Sequence, residues 1–178
     1  ADSAAPTVNV LSALDHMTGE VAWRISGSSS GATYPFAGQF FCGAPLVIDD
    51  QLYVVGQQQS ELQLVVLRAD RGELLWRVAL GDVPRLLSAD PGRQRLACTP
   101  VFDGRYLLCP TGAGGIVAVD PLTRSVAWAH RYGVTVREVA ARPRGENTSY
   151  LPDAWWNGWR EAQVVVDPQR ERMFVTSP

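Results

Sequence analysis

The chain has 178 residues, room for one ordinary domain, and is 46% hydrophobic with 19% charged side chains, which excludes a disordered or fibrous protein. Its net charge of −2 offers no electrostatic footprint for nucleic acid or an anionic membrane. No apolar run approaches the roughly 18 residues of a membrane helix. The opening ADSAAPTVNV lacks the basic and apolar regions of a signal peptide, so any leader is absent or already removed. All 16 basic side chains are arginine. That suits bidentate anion recognition, and GC-rich codon usage would produce it as well.

The first element is a hairpin over 10–27, whose turn is DHMTG, Asp15 to Gly19. Aspartate bonds backbone N–H groups inside a turn, and glycine accepts the positive φ that closes it. A connection, SSSGATYPFAGQFF, follows from Ser28 to Phe41. Residues 43–81 then read as two hairpins: APLVIDDQLYVVG, followed by LVVLRADRGELLW with its turn ending at Gly72. Residues 97–133 repeat the arrangement. TPVFDGRYLLCPT carries the strong Asp103-Gly104 turn signal, and IVAVDPLTRSVAW turns after Asp120. A second long connection, 134–161, contains AWWNGWRE; residues 162–178 give one more hairpin. Long connections in a compact repeat are usually functional or disordered. Trp155, Trp156 and Trp159 there read either as a rim that binds a partner, sugar or quinone by stacking, or as aromatics tucked over the neighbouring sheet. Asn147-Thr148-Ser149 matches a glycosylation sequon, a short motif of little weight by itself.

Three of these hairpins end in tryptophan, at Trp23, Trp76 and Trp128, spaced 53 and 52 residues apart. A period near fifty marks a repeat architecture. Each full unit holds four short antiparallel strands, which predicts an all-β fold: a partial β-propeller of four-stranded antiparallel blades with tryptophan-docking hairpins. One blade cannot bury both faces of its sheet alone. A large flat side chain on the outer strand fills the gap to the next blade. Trp23, Trp76 and Trp128, with the turn residues Asp15, Asp120, Gly19 and Gly72, are therefore expected to dock blades.

Cys42, Cys98 and Cys109 have no metal or haem spacing. Cys98 and Cys109 straddle Asp103-Gly104 symmetrically and are expected to face each other across the hairpin. A four-residue loop, Phe102 to Arg105, would make them a close pair, open either to a disulfide in an exported protein or to two buried thiols. Cys42 is left over in both cases. His16 lies in a turn and His130 just past Trp128, neither with a recognisable partner. Gly112 to Gly115 joins two hairpins of one blade and opens no helix, which argues against a phosphate cradle.

ALDHMTGEVAW, Ala13 to Trp23, resembles the pyrroloquinoline-quinone-type propeller repeat, roughly Ala-x-Asp-x-x-Thr-Gly-x-x-x-Trp. VLRADRGELLW keeps Gly72 and Trp76 but has Arg68 at the Asp position. AVDPLTRSVAW keeps Asp120 and Thr123 but has Arg124 at the Gly position. The repeat is similar to units of quinoprotein alcohol dehydrogenases, of the propeller lipoprotein that serves outer-membrane β-barrel assembly, and of large bacterial propeller proteins without an assigned activity. Two complete blades flanked by two half-blades cannot close a ring, since propellers need at least four blades. A fragment of a seven- or eight-bladed propeller is expected, with the remaining blades as partner; the alternative is a ring built from several copies.

The resembling dehydrogenases hold their quinone under a vicinal Cys-Cys ring, with calcium ligands and an Asp base. No Cys-Cys pair or matching carboxylate motif occurs here, and no GxSxG, P-loop or HExxH. The leading expectation is a non-catalytic scaffold or protein-interaction module of an exported bacterial protein, with a protein partner and no cofactor. The alternative is part of a dehydrogenase using pyrroloquinoline quinone and calcium, its catalytic residues outside this chain.

Overall fold

A computed structural model describes residues 9–27, 35–83, 87, 90–94, 97–131 and 164–175. Strands β1 (Val10–Leu14) and β2 (Val21–Ser26) form the first hairpin. The next sheet contains β3 (Gln39–Phe41), β4 (Leu46–Ile48), β5 (Gln51–Gln58), β6 (Glu61–Arg68) and β7 (Leu74–Asp82). Its order is β3-β5-β6-β7, with β4 also on β5. A single-turn helix, α1 (Pro91–Gln94), precedes a sheet of β8 (Val101–Phe102), β9 (Leu107–Pro110), β10 (Gly115–Asp120) and β11 (Ser125–Arg131). The last hairpin pairs β12 (Val164–Asp167) with β13 (Arg172–Val175). Every pairing among the described residues is antiparallel, and all but β3 with β5 join strands adjacent in sequence. This is an all-β partial propeller, and the sheets are its blades.

Three hydrophobic cores lie between successive sheets. On β5 and β6 almost every residue is buried because both faces are covered. Period-two alternation then divides them. Leu52, Val54, Val65 and Leu67 meet Ile25 and Trp23 of the first hairpin. Tyr53, Val55, Leu64 and Val66 meet Leu107, Cys109, Val117 and Val119 of the following sheet. The other face of that sheet, Leu108, Ile116 and Ala118, packs on Val164, Val166 and Met173.

The turns explain the hairpins residue by residue. Asp15 Oδ1 accepts the N–H of Met17 (2.8 Å) and of Thr18 (2.9 Å). Asp120 does the same for Leu122 and Thr123, and Asp167 for Gln169 and Arg170. Each of these turns ends in a left-handed residue: Gly19 at φ 74°, Arg124 at 54° and Glu171 at 51°. The second tryptophan hairpin has Arg68 where the aspartate would be. There the backbone alone closes the turn, Gly72 N–H to Arg68 C=O at 2.8 Å. Arg68 turns outward to Asp50 at 3.5 Å and Glu73 at 3.9 Å.

Two local readings change. Part of the first long connection is strand: Gln39–Phe41 runs beside Gly56–Gln58, with Phe40 and Phe41 alternating into two cores. Gly56 makes this fit, since a Cβ there would collide with the Gln39 side-chain amide. The Asp103-Gly104 hairpin is also shifted. Val101 pairs with Leu108 and Phe102 with Leu107, so the loop is Asp103 to Tyr106, closed by the Asp103 carboxylate on the N–H groups of Arg105 and Tyr106. Continuing that register sets Cys109 opposite Pro100. Cys98 and Cys109 are therefore not cross-strand partners, and all three cysteines are free and buried.

Candidate functional site

The repeated tryptophans occupy the joints between blades. Trp23 lies partly buried against the second sheet, and its indole N–H donates to Ala69 C=O at 3.0 Å. A Cβ on Gly72 would stand 2.8 Å from its ring. Gly72 at φ 68° thus serves two needs: it closes its own turn and leaves a flat seat for the preceding blade's tryptophan. Trp76 repeats the arrangement one blade on. Its ring meets Tyr53 edge-on, 6.3 Å between centroids, and the Arg124 guanidinium lies 5.8 Å over it. Arg124 holds the same turn position as Gly72, so the residue that breaks the glycine pattern covers the neighbouring tryptophan with a cation. Trp128 packs into the core formed with the last hairpin.

A second regularity has no sequence signature. The ladder slips by one residue beside each tryptophan. Ala13 faces Trp23 but Leu14 faces Val21; Val66 faces Trp76 but Leu67 faces Leu74; Ala118 faces Trp128 but Val119 faces Val126. Ala22, Leu75 and Ala127 are the extra residues. A bulge re-aims the side chain next to it, and here it stands just before the aromatic in all three copies. The small or β-branched residue at the first position of the repeat is the tryptophan's cross-strand neighbour.

The other constellation sits where β3 and the segment before β8 meet. Asn9 clasps the Phe41 backbone, donating to its C=O at 2.9 Å and accepting its N–H at 2.8 Å. Cys98 N–H donates to Cys42 C=O at 2.9 Å. A cleft of about 290 Å³ opens beside them, lined among others by Leu11, Phe40, Cys42, Gly43 and Gln94. Every group lining it is uncharged. Below it Arg93 is buried, donating to Gln57 Oε1 at 2.7 Å, while its own N–H is held by the Asp90 carboxylate at 3.2 Å. Burial pushes the Cys42 thiol up to about 12 and the Cys98 thiol to about 11, partly offset by the Arg93 charge. At neutral pH these thiols are protonated and poor nucleophiles.

The remaining candidates are placed as follows. His16 and His130 are exposed. Thr111 ties down the glycine turn: its hydroxyl donates to Gly115 C=O at 2.9 Å and accepts the N–H of Ala113 and Gly115. Those amides are spoken for, which leaves no open cradle at Ala113 and Gly115. Trp155, Trp156 and Trp159 lie outside the described residues. No group of three or more His, Cys, Asp or Glu side chains suited to a metal occurs among the described residues. No described helix is long and apolar enough to cross a membrane.

The family model described as outer membrane protein assembly factor BamB matches residues 4–150. The chain belongs to this family of pyrroloquinoline-quinone-type propellers. No curated protein sequence matches the chain. Among solved structures it is similar to BamB from Moraxella catarrhalis, at 20% identity and a TM-score of 0.50 over 94% of this chain. It spans 43% of that protein's length. It is also similar to the quinohemoprotein alcohol dehydrogenase ADHIIG from Pseudomonas putida HK5, at 17% identity and a TM-score of 0.43, over 69% of this chain and 24% of that one. At these identities the likeness is one of fold.

Proposed function

We propose that this chain is part of a non-catalytic, exported bacterial β-propeller that acts as a scaffold for binding another protein. The observation that carries the reading is the family match over residues 4–150, whose description is that of an assembly factor and not of an enzyme. The site chemistry is compatible with it: the geometry repeated between blades is packing geometry, and the cleft beside Cys42 is lined by neutral groups. The nearest partner is more propeller. Among the described residues β1 and β13 each pair on one side only, so further blades would find open ladder edges there. No cofactor is assigned under this reading, and the compartment is extracytoplasmic.

Two measurements on the full-length protein test it. The first is a titration with pyrroloquinoline quinone and calcium, followed by tryptophan quenching and quinone absorbance; no saturable binding is expected. The second is chemical cross-linking in cells, envelope fractionation and mass-spectrometric identification of the adduct, where a defined protein partner in the envelope fraction is expected. Saturable micromolar or tighter quinone binding would replace the scaffold by the dehydrogenase and direct the next assay to alcohol substrates. Recovery of the protein in the cytosolic fraction would remove the exported location.

A further inference from the structure

The joint between the second and third sheets contains three cysteines, and nothing in the scaffold reading uses them. Strand alternation decides which way they point. Cys42 follows Phe40 by two residues, and both belong to the core facing the third sheet. Cys98 and Cys109 belong to the same core from the opposite side, together with Leu107 and Val117. All three thiols therefore converge on one inter-blade layer.

Geometry then separates the pairs. Cys98 precedes β8 and lies outside the ladder that begins with Val101 and Leu108, so strand pairing does not join it to Cys109. Cys42 and Cys98 are joined directly, Cys98 N–H to Cys42 C=O at 2.9 Å. The covalent links on either side of a single bond of that length keep the two Cα atoms within about 7 Å, a range that overlaps the window of about 4.4–6.8 Å that disulfides use. Gly43 permits the approach, because a Cβ there would lie 2.6 Å from the Cys98 nitrogen.

We propose that Cys42 and Cys98 are an oxidisable pair that closes a disulfide between the segment after β3 and the segment before β8, which belong to adjacent blades. The oxidant is a disulfide, either a small molecule or a thiol–disulfide exchange protein. The Cys42 thiolate attacks it to give a mixed disulfide and releases one thiol. The Cys98 thiolate then displaces the second thiol and forms the Cys42–Cys98 bond. The two cysteine protons end on the two released thiols, and the oxidant takes up the two electrons. Because burial holds both thiols protonated once the blades are packed, exchange is fast only while the strands are still open, which places closure during folding. The compartment proposed above matters only for the source of the oxidant, and an added disulfide tests the pair without it.

The full-length protein is unfolded in urea, refolded with excess oxidised glutathione, alkylated and digested with trypsin. Cleavage after arginine places the three cysteines in separate peptides, residues 25–68, 96–105 and 106–124. A cross-link between 25–68 and 96–105 is expected, retained in Cys109→Ala and lost in Cys98→Ala. A link from 106–124 to either other peptide, or three fully alkylated peptides after oxidative refolding, would overturn the proposal.

Discussion

At the scale of single residues the clearest contrast is between two glycines with the same backbone. Gly19 and Gly72 both sit at positive φ, 74° and 68°, yet nothing lies within 4 Å of a Cβ on Gly19, whereas a Cβ on Gly72 meets the Trp23 ring. Gly19→Ala should cost only its conformational strain, about 1 kcal/mol. Gly72→Ala adds overpacking at the joint and should cost about 2–4 kcal/mol. Urea midpoints of the two variants, compared at equal slope, check the difference; equal losses would mean that Trp23 does not need this seat. Arg124 makes the converse case. Arg124→Gly relieves the left-handed strain but gives up the cation over Trp76, an exposed contact of about 0.5–1 kcal/mol, so the midpoint should stay within about 0.5 kcal/mol of wild type. Arg124→Ala keeps the strain and loses the contact, and should fall about 1 kcal/mol lower than the glycine variant.

The buried thiols give a pH dependence whose sign follows from their protons. Cys42 and Cys98 are raised by burial from an ordinary value near 9 to about 12 and about 11. Above pH 9 the unfolded chain releases these protons while the folded one keeps them. Stability of the reduced protein is therefore full below about pH 9 and declines as pH rises through 11–12. The loss should be on the order of 1 kcal/mol per thiol at pH 10. Chemical unfolding of reduced wild type and of Cys42→Ala/Cys98→Ala between pH 8 and 10.5 reads it. The double variant should show the shallower decline.

At the scale of elements, the strand-turn-strand-tryptophan unit was legible because each of its signals is local. Alternating β-branched residues, an aspartate that caps its own turn and a left-handed closing residue all act within a dozen positions. The fourth hairpin, with Asp167 and Glu171, follows the same rule without glycine. What was not legible depends on partners distant in sequence. β3 runs where it does beside two distant glycines, Gly27 and Gly56, whose missing Cβ atoms leave room for Gln39. The Asp103 loop has two competing closures, a glycine turn and a carboxylate cap, and the cap sets the register that separates Cys98 from Cys109. The bulges before the tryptophans leave no mark in composition, since Ala22, Leu75 and Ala127 are ordinary strand residues. Their role can be read by deletion. Removing Ala127 should make the β10–β11 ladder regular, with Trp128 still opposite Ala118 but without the extra local twist and re-aiming that the bulge supplies. The ring should then fit its joint less well, and the deletion should cost about 1–3 kcal/mol in the urea midpoint relative to Ala127→Gly, which keeps the count. Equal midpoints would show that Trp128 does not need the bulge.

At the scale of the whole molecule, the chain is a series of sheets in which each joint involves only two neighbours. Stability in such an array is close to a sum of blade terms and joint terms. The disulfide proposed between Cys42 and Cys98 would add to one joint only. By loop-closure estimates for a loop of that length it contributes about 4 kcal/mol, concentrated at the contact between the second and third sheets. The outer hairpins, two-stranded among the described residues, depend on whatever pairs with them. This is also why family membership says more about shape than about chemistry: the residues that recur from unit to unit are those that join blades.

The bulge before each tryptophan has a consequence for how such chains change length. Because every copy carries the same one-residue slip at the same place, each hairpin hands on an identical phase to the next. A whole unit of 52 or 53 residues can therefore be duplicated or lost by recombination, and every aromatic still lands on a joint. A one-residue insertion within a strand, where no bulge absorbs it, puts the rest of that strand on the wrong face. Genes of this kind are free to grow and shrink only in complete modules, and loops are left as the place where neighbouring members of a lineage can diverge one residue at a time.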